Sequence, residues 1–77
     1  MDELALKIRR ARNEAGLSRE LLAGKVGVSL ATVVRYETGR TQRISLELLV
    51  KIAAATGKPV IWFLENDTDL VGGVSHG

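Results

Sequence analysis

The chain has 77 residues, enough for one small domain that buries only about 60–65% of the surface exposed when unfolded. It has no cysteine, and its one histidine, His76, is the penultimate residue; disulfides, thiolate metal sites and histidine- or cysteine-based catalytic groups are therefore excluded. The formal net charge is +2, but nine basic residues (Lys7, Arg9, Arg10, Arg12, Arg19, Lys25, Arg35, Arg40, Arg43) face only Glu14, Glu20 and Glu37 between positions 7 and 43, a local excess of +6. After Pro59 the balance is −3, from Glu65, Asp67 and Asp69. A polyanion partner for the first half fits this asymmetry.

The N-terminus, Met1-Asp2-Glu3-Leu4, is acidic and lacks the apolar run of a signal peptide. No apolar stretch approaches the ~20 residues needed to cross a bilayer. The expectation is a soluble cytoplasmic protein with no membrane partner.

In chain order, Leu4, Ile8, Ala11 and Ala15 repeat at helical spacing, with Asp2 as N-cap and Gly16 as a left-handed stop. Ser18 caps a second helix carrying Leu21, Leu22 and Val26 and ended by Gly27. Ser29 caps a third with Val33 and Tyr36, ended by Gly39, and a loop of Arg40, Thr41, Gln42 and Arg43 follows. Ser45 caps a fourth, whose apolar side is Leu46, Leu49, Ile52 and Ala53, ended by Gly57. Pro59 suits the first turn of a fifth, Val60 to Leu64. The predicted fold class is all-α: a compact five-helix domain over residues 1–65, with a loosely ordered tail over 66–77.

Arg19 to Gly39 is the informative stretch. Two helices crossing steeply need a small side chain at their contact, and Ala23 is placed for it. The turn between them needs a residue tolerant of positive φ, supplied by Gly27. The next helix must bury one β-branched or apolar side chain against the first, and Val33 stands at that spacing. Leu22, Val26, Val28 and Tyr36 complete the shared core.

These residues resemble the lambda-repressor-like helix-turn-helix proteins of the Cro and phage-repressor (XRE) type. The likeness rests on Ile8-Arg9-Arg10-Ala11-Arg12, Gly16-Leu17-Ser18 and Leu22-Ala23-Gly24-Lys25-Val26-Gly27-Val28-Ser29. It continues through Arg35-Tyr36-Glu37-Thr38-Gly39-Arg40, Leu49-Val50-Lys51-Ile52-Ala53 and Trp62-Phe63-Leu64. The resemblance implies a DNA-binding pair formed by helices two and three. Leu30, Ala31, Val34 and Arg35 would then face base edges in the major groove, with Thr32 adding a weaker contact. Arg19, Ser29, Arg40, Thr41 and Arg43 would lie along the DNA backbone, as would the free amides at the starts of helices two and four. Arg12 and Glu37 would form a structural pair joining helix one to the end of helix three, and Trp62 would pack in the core.

Two departures from the family pattern stand out. A glutamine is common where Arg19 stands; arginine keeps a phosphate role but loses an amide able to brace a neighbouring side chain. Leu30, Ala31 and Val34 cannot hydrogen-bond a base, so Arg35 is the one strong direct reader, and thymine methyls and DNA shape would carry much of the rest.

The expected function is therefore a sequence-specific regulator of transcription, a dimeric repressor or autoregulator on a double-stranded DNA operator, with no cofactor, no metal and no enzymatic activity. Ser18, Ser29 and Ser45 read as caps rather than nucleophiles. The expected homodimer interface is Val60, Ile61, Leu70 and Val71, with Trp62 and Leu64 committed to the monomer core. The competing reading is a protein-interaction module, such as an antitoxin holding a toxin or a bridging cofactor, using the apolar third helix as its docking face.

Overall fold

A computed structural model describes residues 3–39 and 43–65. Five helices follow one another: α1 Glu3–Glu14, α2 Arg19–Val26, α3 Leu30–Thr38, α4 Leu46–Thr56 and α5 Val60–Leu64. Each boundary has a local cause. The Ser18, Ser29 and Ser45 side chains accept the amides of Leu21, Thr32 and Leu48 at 3.0, 3.1 and 3.1 Å, satisfying donors that a helix start leaves unpaired. Gly16, Gly27, Gly39 and Gly57 all adopt the left-handed conformation just past a helix. At Gly27 (φ +79°) this matters most, because its amide and that of Val28 both turn back to the Ala23 carbonyl and close the bend into α3. Pro59 stands one position before its expected place, at the N-cap of α5. The Asp2 cap expected for α1 lies outside the described residues, as does the 66–77 tail.

α1 packs across α3, α4 and α5, and α2 packs against α3 and α4. Ile8, Ala11, Leu22, Val26, Val33, Leu49, Ile52 and Phe63 meet at the centre, each under a twentieth exposed. Phe63 carries α5 into this core and meets Trp62 edge-on, with ring centroids 5.0 Å apart. No helix among the described residues is long and apolar enough to cross a membrane.

Several sequence expectations are corrected. Leu21, Leu46 and Leu64 are exposed by 56%, 66% and 59%. In α2 the inward stripe is Leu22, Ala23 and Val26, which turns Leu21 away. In α4 the start residue Leu46 shares a face with exposed Val50, one turn on, rather than with buried Leu49. At α5, Phe63 takes the core position and Leu64 points outward. Ala15 lies beyond the end of α1 and is exposed. Lys7, one of the nine basic residues in the charge excess, is 6% exposed. Its ammonium donates to the carbonyls of Trp62 (2.8 Å) and Glu65, where a helix end leaves acceptors open, and lies 5.3 Å from the Trp62 ring centroid.

Candidate nucleic-acid interface

The two sides of α3 differ in exposure, with Thr32, Val34 and Tyr36 intermediate between them. Val33 and Glu37 are buried toward the core, and Tyr36 is half-buried. On the other side Leu30, Ala31 and Arg35 are exposed, with Thr32 and Val34 half-exposed. Ala23, 4% exposed, lets α2 approach α3 closely. The five residues expected to read bases therefore share the outward side of one helix. The Arg35 guanidinium makes no hydrogen bond or ion pair with any described residue; only its carbonyl is used, accepting from Thr38 Oγ1 and the Gly39 amide. The hydroxyl of Thr32 lies 2.9 Å from that of Ser29, which also caps the helix. Both hydroxyls are thus already partnered.

Beside this face, Ser18, Arg19 and Glu20 at the start of α2, Leu30 and Val34 of α3, and Arg12 of α1 line an open depression of about 460 Å³. Two of its lining residues, Arg12 and Arg19, belong to an ion cluster centred on Glu37. Arg12 donates from Nε to Oε2 of Glu37 at 2.6 Å, from Nη2 to Oε1 at 3.1 Å, and from Nη1 to the Leu17 carbonyl at 2.8 Å. Arg19 donates from Nε to the same Oε1 at 3.0 Å. The side chain of Glu37 is fully buried, those of Arg12 and Arg19 are 10% and 38% exposed, and no buried side-chain nitrogen or oxygen lacks a partner among the described residues.

Arg19 braces a neighbour, Glu37, through its guanidinium, in place of the amide that a glutamine would supply. Eighteen positions separate the two, and nothing local signals their meeting. Arg43, exposed, stands beside the start of α4; Arg40 and Thr41 lie outside the described residues. Arg10, though exposed, pairs with Glu14 at 2.9 Å, and Lys58 reaches the same carboxylate at 2.7 Å. These two cations, Lys58 foremost, hold the Glu14 carboxyl below its ordinary value. Val60 is half-buried and Ile61 is 58% exposed; Leu70 and Val71 lie outside the described residues.

Two short helices joined through a left-handed glycine, the second buried on one side and open on the other, define a helix-turn-helix module. The family model described as Helix-turn-helix matches residues 8–63, and the chain belongs to that family, in its lambda-repressor-like branch. A relative from Rhodospirillum rubrum, described as an uncharacterized transcriptional regulator in the ATPase CF(0) region, is 37% identical over 60 residues. That alignment takes in 78% of this chain and 55% of the relative, so the chain spans about half the relative's length. The N-terminal DNA-binding domain of SinR from Bacillus subtilis superposes with a TM-score of 0.79 at 25% identity, over 87% of this chain and 97% of that one. SinR in complex with DNA, described as the master regulator for biofilm formation, gives 0.76 at 27% identity, over 80% of this chain and 98% of the other.

Proposed function

We propose that this chain is a sequence-specific, double-stranded DNA-binding regulator of transcription, a dimeric repressor or autoregulator that lays α3 in the major groove. The observation that carries this reading is the outward side of α3, where Leu30, Ala31, Thr32, Val34 and Arg35, whose guanidinium has no partner among the described residues, stand beside the Arg19 depression. A groove that admits one helix fits that side, and the fold likeness to a regulator solved in complex with DNA supports a DNA partner. Arg35 grips a guanine through O6 and N7, and the apolar residues meet thymine methyls. Arg19, Ser29, Arg40, Thr41 and Arg43 follow the backbone, Ser29 through its helix-start amides because its hydroxyl is engaged. The protein works without a cofactor or enzymatic step, at the nucleoid of a prokaryotic or phage-infected cytoplasm.

Affinity selection on randomised duplex, followed by titration at two salt concentrations, tests this. An enriched motif bound with strong salt dependence is expected. Binding only at the non-specific level of ~10⁻⁴–10⁻⁶ M, with no enriched motif, overturns it.

One feature favours a second, compatible role in protein contact. Leu46, Val50, Ile61 and Leu64 are exposed apolar side chains on α4 and α5. A second copy of the chain is the partner this reading assigns to them, with a toxin or another regulator as the alternative occupant.

A further inference from the structure

The two guanidiniums on Glu37 are used differently. Arg12 spends all three nitrogens, two on the carboxylate and one on the Leu17 carbonyl, and is almost wholly enclosed. It is a strut. Arg19 spends Nε alone and remains 38% exposed at the rim of the depression. Its two terminal nitrogens make no bond to any described residue. The carboxylate that holds it is fully buried, so solvent screens that grip little. Two arginines on one carboxylate leave one positive charge over, and Arg19 is the member able to present it.

We propose that Glu37 is a positioning residue for DNA binding: by gripping Arg19 through Nε, it aims the two terminal nitrogens at one phosphate of the operator backbone. This rests on the DNA-binding reading above. A guanidinium edge with two parallel N–H groups matches two phosphate oxygens, which a lysine ammonium does not. An arginine already fixed in place also loses less side-chain freedom on binding. Glu20 lines the same depression with opposing charge, but it is solvent-exposed, so that charge is screened.

The test uses the duplex recovered by selection. Affinity is measured over a salt series for the parent chain, Arg19→Gln, Arg19→Lys and Glu37→Gln, with a thermal midpoint for each free protein. Each measurement is repeated on duplexes carrying one neutral methylphosphonate at successive positions. Arg19→Gln is expected to weaken binding about tenfold and to lower the salt slope by about 0.9, one phosphate's share. One methylphosphonate that weakens the parent chain should leave Arg19→Gln unaffected. Glu37→Gln, at a temperature where it is folded, should lose the same single-phosphate effect, an outcome that a purely structural role does not produce. Arg19→Gln with parental affinity, slope and phosphate sensitivity overturns the proposal, as does Glu37→Gln with that phosphate effect intact. Should Glu37→Gln not fold, Arg19→Lys decides: full parental binding and phosphate sensitivity from a flexible ammonium overturns the idea, and their loss supports it. A parent chain that binds no duplex sinks the DNA reading and this proposal together, and the unsubstituted arm alone reveals that case.

Discussion

Arg12 and Glu37 meet edge to edge, Nε to Oε2 at 2.6 Å and Nη2 to Oε1 at 3.1 Å, and so tie the last turn of α1 to the last turn of α3. Their side chains are 10% and 0% exposed. Removing one partner of such a pair strands the other and costs about 3–5 kcal/mol, whereas replacing both by apolar residues costs far less. Arg12→Met and Glu37→Met singly should therefore each destabilise more than the two together. Urea unfolding of the four proteins checks this, and additive effects would remove the pair as a coupled unit.

Glu14 gives the fold a predicted acid sensitivity. Lys58 and Arg10 hold its carboxyl below the ordinary value, so the folded state binds that proton less readily than the unfolded one. Stability from these contacts is complete above the unfolded carboxyl value and is lost as pH falls through the lowered folded value. Glu14→Gln should be slightly less stable near neutrality and lose less on acidification. Parallel pH curves of the urea midpoint for both proteins would contradict this.

Gly24 and Gly27 should respond to alanine with opposite signs. A Cβ at either meets nothing within 4 Å, but Gly27 sits at φ +79° while Gly24 lies inside α2. Gly24→Ala should stabilise by about 0.5–1 kcal/mol, and Gly27→Ala should destabilise by about 1–2 kcal/mol. Thermal midpoints moving in the same direction would refute the assignment of Gly27 as the obligatory left-handed corner.

On the groove side, Arg35→Ala should cost about 1–3 kcal/mol and relax one guanine position, while Arg43→Ala should weaken all duplexes alike. Replacing single thymines by uracil should weaken binding where Leu30, Ala31 or Val34 touches a methyl, with 5-methylcytosine partly tolerated there. A selected motif unchanged by Arg35→Ala would mean that α3 lies elsewhere.

The exposed Ile61 and Leu64 set up the dimer test. Half-sites about one helical turn apart need two recognition helices in one assembly. Ile61→Glu should shift sedimentation on a full operator toward one copy, with little loss on a half-site. A single copy per operator both before and after substitution would end the dimer reading.

What the sequence by itself determined is local. Ser18, Ser29 and Ser45 open helices because a side-chain oxygen reaches an amide three residues on. Gly16, Gly27, Gly39 and Gly57 close them because only glycine takes positive φ without strain. The spacing of Ala23, Gly27 and Val33 reflects the geometry of two crossing helices, so the module is legible in the amino-acid sequence. The tertiary structure alone decided which way the remaining side chains faced. Leu21, Leu46 and Leu64 satisfy a helical period, yet a helix of five to eleven residues offers several apolar stripes, and its neighbours choose one. Lys7 reads as surface charge until the end of α5 brings two carbonyls to it. Arg19 and Glu37 are eighteen positions apart, and their bond exists only because α2 crosses α3 where Arg12 has already buried the carboxylate.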